Sequence, residues 1–214
     1  MKILNLYAGI GGNRKLWGDN HEITAVEFDP KIAAIYRDLY PNDTVIVEDA
    51  HQYLLDHYKE YNDGFIWGSP PCPTHSGVNN FLNPQGIVRY PAMELWQEII
   101  FLEHFCNGLY CIENVKSYYE PFIKPQISGR HYFWANFKIP QIKTHPTIGR
   151  MNGKGQSRNR MNLQNKQQTK QLQVSKSLAG KVINNCVSSE IGLAILNSAM
   201  GIIAENSVKN GLLF

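Results

Sequence analysis

Short apolar runs alternate with amphipathic stretches through the first half of the chain, the pattern of βα units on a largely parallel sheet. Ile3 to Tyr7 reads as a first strand, followed by the glycine cluster Gly9-Ile10-Gly11-Gly12 and a short helix over Asn13 to Trp17. Ile23 to Phe28 reads as a second strand, and Pro30 opens a helix to about Leu39, since proline suits a first helical turn. Thr44 to Val47 predicts a third strand, and Tyr53, Leu54, His57 and Tyr58 share one side of the next helix. Gly64 to Trp67 predicts strand four, ending at Ser69-Pro70-Pro71-Cys72. A loop rich in Asn, Pro and Gly then leads to a helix from about Ala92 to Cys106. Leu109 to Ile112 predicts strand five, with Glu113-Asn114-Val115 beyond its end, and Tyr132 to Phe137 a further strand.

Past that point the periodicity stops. Gln141 to Gly180 has no sustained apolar period and is rich in Gln, Asn and Lys, so it reads as an exposed insertion. Ile191, Leu193, Ala194, Leu196, Ala199 and Ile202 then describe an amphipathic helix. The expected organisation is an α/β catalytic unit over residues 1–140, a small basic insertion over 141–180, and a segment over 181–214 that returns to the first unit.

Composition narrows the class. The 214 residues, 43% hydrophobic and 11% aromatic, suit one globular domain. Cys72, Cys106, Cys111 and Cys186 form no CxxC pair, and neither a signal peptide nor a long apolar run is visible. A reducing, cytoplasmic setting with no membrane and no metal is expected. The net charge of +3 conceals a segregation of sign: Pro121 to Ser189 carries 12 basic residues and no acid, leaving 9 basic against 18 acidic elsewhere. A basic third of this kind points to a polyanion, nucleic acid first, although a solvated lysine-rich surface would look the same.

Chemistry-bearing residues gather where strands end. Glycines between a first strand and a helix let backbone amides approach a ligand. Glu27 at the second strand end can accept from both hydroxyls of a ribose, Phe28 beside it can stack on a purine, and Asp49 after the third strand can accept from an adenine amino group or simply cap a helix. Two prolines stiffen the chain before Cys72 and hold its thiol at a fixed height above the sheet edge. Glu113 emerges at the same edge, so a carboxyl and a thiol face one pocket, an arrangement able to act on a heterocycle.

Together these residues resemble the cytosine-C5 DNA methyltransferases that use S-adenosylmethionine (SAM). Tyr7-Ala8-Gly9-Ile10-Gly11-Gly12 is similar to the family's first motif, Glu27-Phe28-Asp29 to the second and Asp49-Ala50 to the third. Pro70-Pro71-Cys72 followed by Ser76 resembles the catalytic motif, Glu113-Asn114-Val115 the glutamate motif, and Asn185-Cys186-Val187 the last motif, which closes the cofactor pocket. The resemblance implies a Rossmann-like SAM-dependent fold with S-adenosylhomocysteine as product, and a covalent Cys72 adduct at C6 of a flipped-out or single-stranded cytosine. It also implies that Glu113 acts at N3 and N4 and that an arginine binds O2 of the base. Arg130, leading into a strand, is preferred for that role over Arg158 and Arg160, which match the family's letters inside a polar segment.

The departure is one of size. Where relatives carry a target-recognition domain, only the basic insertion is available, with Lys154, Arg158, Arg160 and Lys166 as phosphate contacts. Short or low sequence specificity, or a guiding protein partner, is therefore expected, in a nucleoid-associated setting in a prokaryotic or virus-infected cell. Other readings of the same residues are an RNA cytosine-C5 methyltransferase, an amino-methyltransferase, or a non-catalytic nucleic-acid-binding or regulatory subunit on this fold.

Overall fold

The computed structural model describes residues 1–141 and 187–202. Its centre is one seven-stranded sheet of β1 (Lys2–Leu6), β2 (Glu22–Val26), β3 (Thr44–Ile46), β4 (Phe65–Gly68), β5 (Leu109–Val115), β6 (Gln126–Ser128) and β7 (His131–Ala135). The spatial order is β3-β2-β1-β4-β5-β7-β6. The first five strands are mutually parallel, and β7 runs antiparallel to both β5 and β6. This is the Rossmann-like α/β class expected from the sequence. The chain walks outward from β1 to β3 and then returns to place β4 on the other side of β1. That reversal creates a switch point at which the carboxyl ends of β1 and β4 splay apart, the usual place for a ligand in such sheets.

Alternation along the strands explains the two layers. Leu4, Leu6, Ile66 and Ile112 face helices α2 (Ala50–His57) and α4 (Glu94–Phe105), burying Leu54, Leu95, Trp96, Ile99 and Leu102. Ile3, Ile23, Phe65, Trp67, Cys111 and Phe133 face the opposite way and are covered by Trp17 and by Ile191, Ile195 and Leu196 of α5 (Ser189–Ala199). Helix α1 (Pro30–Leu39) lies on that second face, where Tyr36 packs on Ala8 and Ala25. An ideal Cβ on Gly192 would stand 2.2 Å from the Asn13 carbonyl oxygen, so α5 rests directly on the backbone beside the glycine cluster.

Several expectations shift by a few residues. Strand β5 continues through Val115, so Glu113 lies inside a paired strand opposite Phe133 rather than after its end. The loop behind Cys72 contains a short helix, α3 (Asn79–Leu82). The last long strand is His131–Ala135 rather than 132–137, and β6, to which the sequence pattern assigned no element, pairs with it through three residues. Of the basic insertion only Gln141 lies within the described residues. Among these residues no helix is long and apolar enough to cross a membrane.

Candidate active site

The end of β1 supplies the first wall. Tyr7 has φ of 55°, the only non-glycine positive value among the described residues, and turns the chain into the glycine loop while Ala8 N–H still donates to Val26 O at 3.0 Å. A bulky residue held in that region costs about 1–3 kcal/mol and persists only where its surroundings fix it. Gly11 also has positive φ, 74°, and a Cβ there would collide with Tyr40 and Tyr36, so glycine is required twice over. Ala8 and Ile10 are buried, which leaves the loop's backbone as its working surface, and nothing lies within 4 Å of an ideal Cβ on Gly9.

Glu27 binds this loop to β2. Its Oε2 accepts from Gly9 N–H and its Oε1 from Asp29 N–H, both at 2.9 Å. Phe28 is 73% exposed next to it, free to stack on a planar ligand. Asp49 is an N-cap, accepting from Gln52 N–H through Oδ1, so the capping alternative is realised, and its side chain stays at the surface beside buried Ala50. Behind the loop, the buried Arg14 guanidinium donates to both carboxylate oxygens of Asp43, at 2.8 and 3.0 Å, and to Asp19 at 3.0 Å. Tyr36 OH adds a third donor to Asp43, at 2.8 Å.

The second wall follows β4. Pro70 is buried and its carbonyl accepts from Asn114 Nδ2 at 3.1 Å, so the asparagine of Glu113-Asn114-Val115 ties β5 to the Pro-Pro-Cys turn. The Cys72 carbonyl accepts from His75 and Ser76 N–H at 3.0 and 2.9 Å, which folds Pro73 to Ser76 into a tight turn beneath the half-buried thiol. His75 is buried, its Nδ1 is 2.6 Å from Tyr119 OH, and burial lowers its pKa. Ser76 bridges to Ser117, so it helps anchor the turn. Burial, and then the charge of Glu113, push the Cys72 thiol up. Strands β4 and β5 are paired neighbours, and the Asn114–Pro70 bond ties the residue after Glu113 to the turn that carries Cys72.

Glu113 is 6% exposed, and its Oε1 is 2.5 Å from His131 Nδ1. Arg130, expected at the base, occupies the exposed turn between β6 and β7 behind Gly129, whose φ is 58°. It makes no hydrogen bond or ion pair among the described residues. The neighbour that the sequence reading passed over, His131, is the one brought to the carboxyl. Its signal lay in the β5–β7 register, which pairs Val115 with His131 and cannot be read from local periodicity.

Glu98 was missed as well. Fully buried on α4, it receives the Tyr7 hydroxyl and approaches His51 Nδ1 at 3.0 Å. Its position three residues after Leu95 and four before Leu102 puts an acid inside an apolar helical stripe, a signal that was available. Val187 packs against the core under α5. Asn185, Lys154, Arg158, Arg160 and Lys166 lie outside the described residues.

No family model matches the chain, and no curated protein matches it. Similar solved structures include a mutant DNMT2 of Spodoptera frugiperda, 28% identical over 54% of this chain and 35% of that one, at a TM-score of 0.39. A putative DNA modification methyltransferase encoded within an E. coli prophage is 16% identical over 56% and 33%, with a TM-score of 0.37. The glycopeptide N-methyltransferase MtfA complexed with SAM is 18% identical over 68% and 64%, with a TM-score of 0.34. The chain spans about a third of the length of the first two. At TM-scores of this size the functional reading rests on the residues themselves.

Proposed function

We propose that this protein transfers a methyl group from SAM to C5 of cytosine in DNA through a covalent adduct of Cys72. The observation that carries the reading is the shared site of Cys72 and Glu113, on adjacent strand ends joined by the Asn114–Pro70 hydrogen bond. The opposite wall suits the cofactor: open space over Gly9, the Glu27 carboxylate for ribose hydroxyls, exposed Phe28 for adenine, and Asp49 at the next strand end. Bound there, SAM supplies the methyl group as an electrophile.

The chain's own residues account for the remainder. Cytosine C5 is too weak a nucleophile to take a methyl group unaided. The Cys72 thiol gives its proton to solvent and Sγ bonds to C6. The C5–C6 π pair shifts toward C4 and the C4–N3 π pair onto N3, which takes the proton carried by the Glu113 carboxyl, and the resulting carboxylate accepts from the exocyclic amine. After transfer, a water molecule takes the C5 proton, the released pair forms the C5–C6 double bond as the C6–S pair returns to Cys72 sulfur, and the N3 proton goes back to the Glu113 carboxylate. His131 at Oε1 fixes the carboxyl rotation and leaves Oε2 for the base. The exposed apolar residues Phe81, Val88 and Tyr90 behind Cys72 suit contact with unstacked bases, and the basic third of the chain suits phosphates.

Incubation with labelled SAM and DNA, followed by nucleoside analysis, is expected to place label at C5 of cytosine, and Cys72→Ala to abolish it without unfolding the protein. A DNA oligonucleotide carrying 5-fluorocytosine should trap a covalent complex with the wild type. Label at N4, label in RNA alone, or no adduct with SAM bound would each overturn the proposal.

A further inference from the structure

One carboxylate oxygen joins three parts of the molecule that the sequence keeps far apart. Glu98 Oε1, on α4 and with no exposed surface, takes the hydroxyl of Tyr7 from the end of β1 and lies 3.0 Å from His51 Nδ1 in the first turn of α2. Its Oε2 is sealed from solvent and has no partner among the described residues, which is costly for a buried acid. Such a group would be replaced by an apolar side chain at no loss to the core if it did nothing more than fill space. Its partners are the two residues that flank the cofactor wall: Tyr7 opens the glycine loop in a strained conformation, and His51 follows Asp49 and Ala50 directly.

We infer that Glu98 is a positioning residue for the cofactor pocket, holding Tyr7 and His51 so that the glycine loop and the Asp49 turn stand at a fixed separation before any ligand arrives. The Tyr7 hydroxyl is the lever. With its ring anchored to Glu98, the backbone kink at φ 55° cannot relax toward an ordinary strand end, and Gly9 to Gly12 stay turned over the sheet edge. His51 closes the cluster toward solvent, its side chain 18% exposed, while Asp49 and Glu94 add negative charge from α2 and from the start of α4. The same helix is tied at its approach to the Cys72 turn, because Ala92 N–H donates to Thr74 Oγ1 at 3.2 Å, so the frame spans both walls of the site.

The inference rests on the methyltransferase reading, and calorimetric binding of S-adenosylhomocysteine separates the two. Wild type should bind; failure to do so would overturn that reading and this one with it. Glu98→Ala removes the acceptor for both donors and is expected to weaken binding about tenfold. Glu98→Gln keeps an acceptor oxygen in place and should stay close to the wild type. In turnover, the loss should fall on the SAM KM rather than on kcat, a split that a general loss of packing would not produce. Tyr7→Phe deletes only the hydroxyl and supplies the same comparison if Glu98→Ala folds poorly, with binding again weakened. Unchanged affinity in Tyr7→Phe, or an equal loss in Glu98→Gln and Glu98→Ala, would overturn the positioning role.

Discussion

The two walls of the site are built by different means. Around the ends of β1 to β3 nearly every polar group is spoken for: Arg14 on Asp43, Glu27 on two backbone amides, and Asn13 Nδ2 on the buried Asn5 Oδ1 at 2.8 Å. After β4 the Cys72 turn is tied by Asn114 at Pro70, by Tyr119 at His75 and by the Ser76–Ser117 bridge, but beyond buried Asn79 the side chains of Phe81, Ile87, Val88 and Tyr90 stand in solvent. The first wall therefore resists deformation, whereas residues 80–90 of the second have few buried contacts and can move at small cost. A cofactor of constant shape calls for the former. On the proposed function, a base taken from a nucleic acid calls for the latter.

Stability should break along this line. Asp43→Ala leaves the Arg14 guanidinium buried without its main partner and is expected to cost about 3–5 kcal/mol in urea unfolding. Phe81→Ser, on the other wall, should change stability by no more than about 0.5 kcal/mol. Equal costs at the two positions would remove the distinction.

A smaller effect probes the electrostatics of the second wall. Glu113→Gln deletes a negative charge beside Cys72, so the thiol should ionise more readily and react several-fold faster with iodoacetamide near pH 8, as read by peptide mass spectrometry, while methyl transfer falls. An unchanged rate in the variant would mean that burial alone governs the thiol.

The smallest effect belongs to His51. Its hydrogen bond to Glu98 raises its pKa, so its share of stability is complete below the unfolded value of about 6.5 and is lost as pH rises through the higher folded value. His51→Gln should flatten the stability profile in that window, as followed by thermal melts across pH 5.5 to 8.5. A slope unchanged by the substitution would assign it to another group.

Much of the first wall was legible because its signals are local. A glycine cluster after an apolar run, Asp29 before Pro30, and Asp49 before an amphipathic stretch all act within a few residues of themselves. The second wall depends on pairing between distant segments. Strand β6 has three residues, too few to show a period, and the bond between Glu113 and His131 exists because β7 runs back along β5 in one particular register. Arg130 was preferred because it leads into a strand, but it stands in the exposed turn behind Gly129, and the next residue, His131, is the one at the Glu113 carboxyl. Glu98 illustrates a different difficulty: an acid on a helix reads as a surface residue until its place in the apolar stripe is checked.

The contact of Gly192 with the Asn13 backbone also has a meaning in time. Helix α5 braces the segment beside the glycine loop, yet it is synthesised after every strand of the sheet. On the ribosome the sheet can pair while this support is still missing, and the loop gains it only once residues 189–199 have emerged from the exit tunnel. On the proposed function, full cofactor affinity would then be acquired late, after the strands that carry the contacting residues have been made.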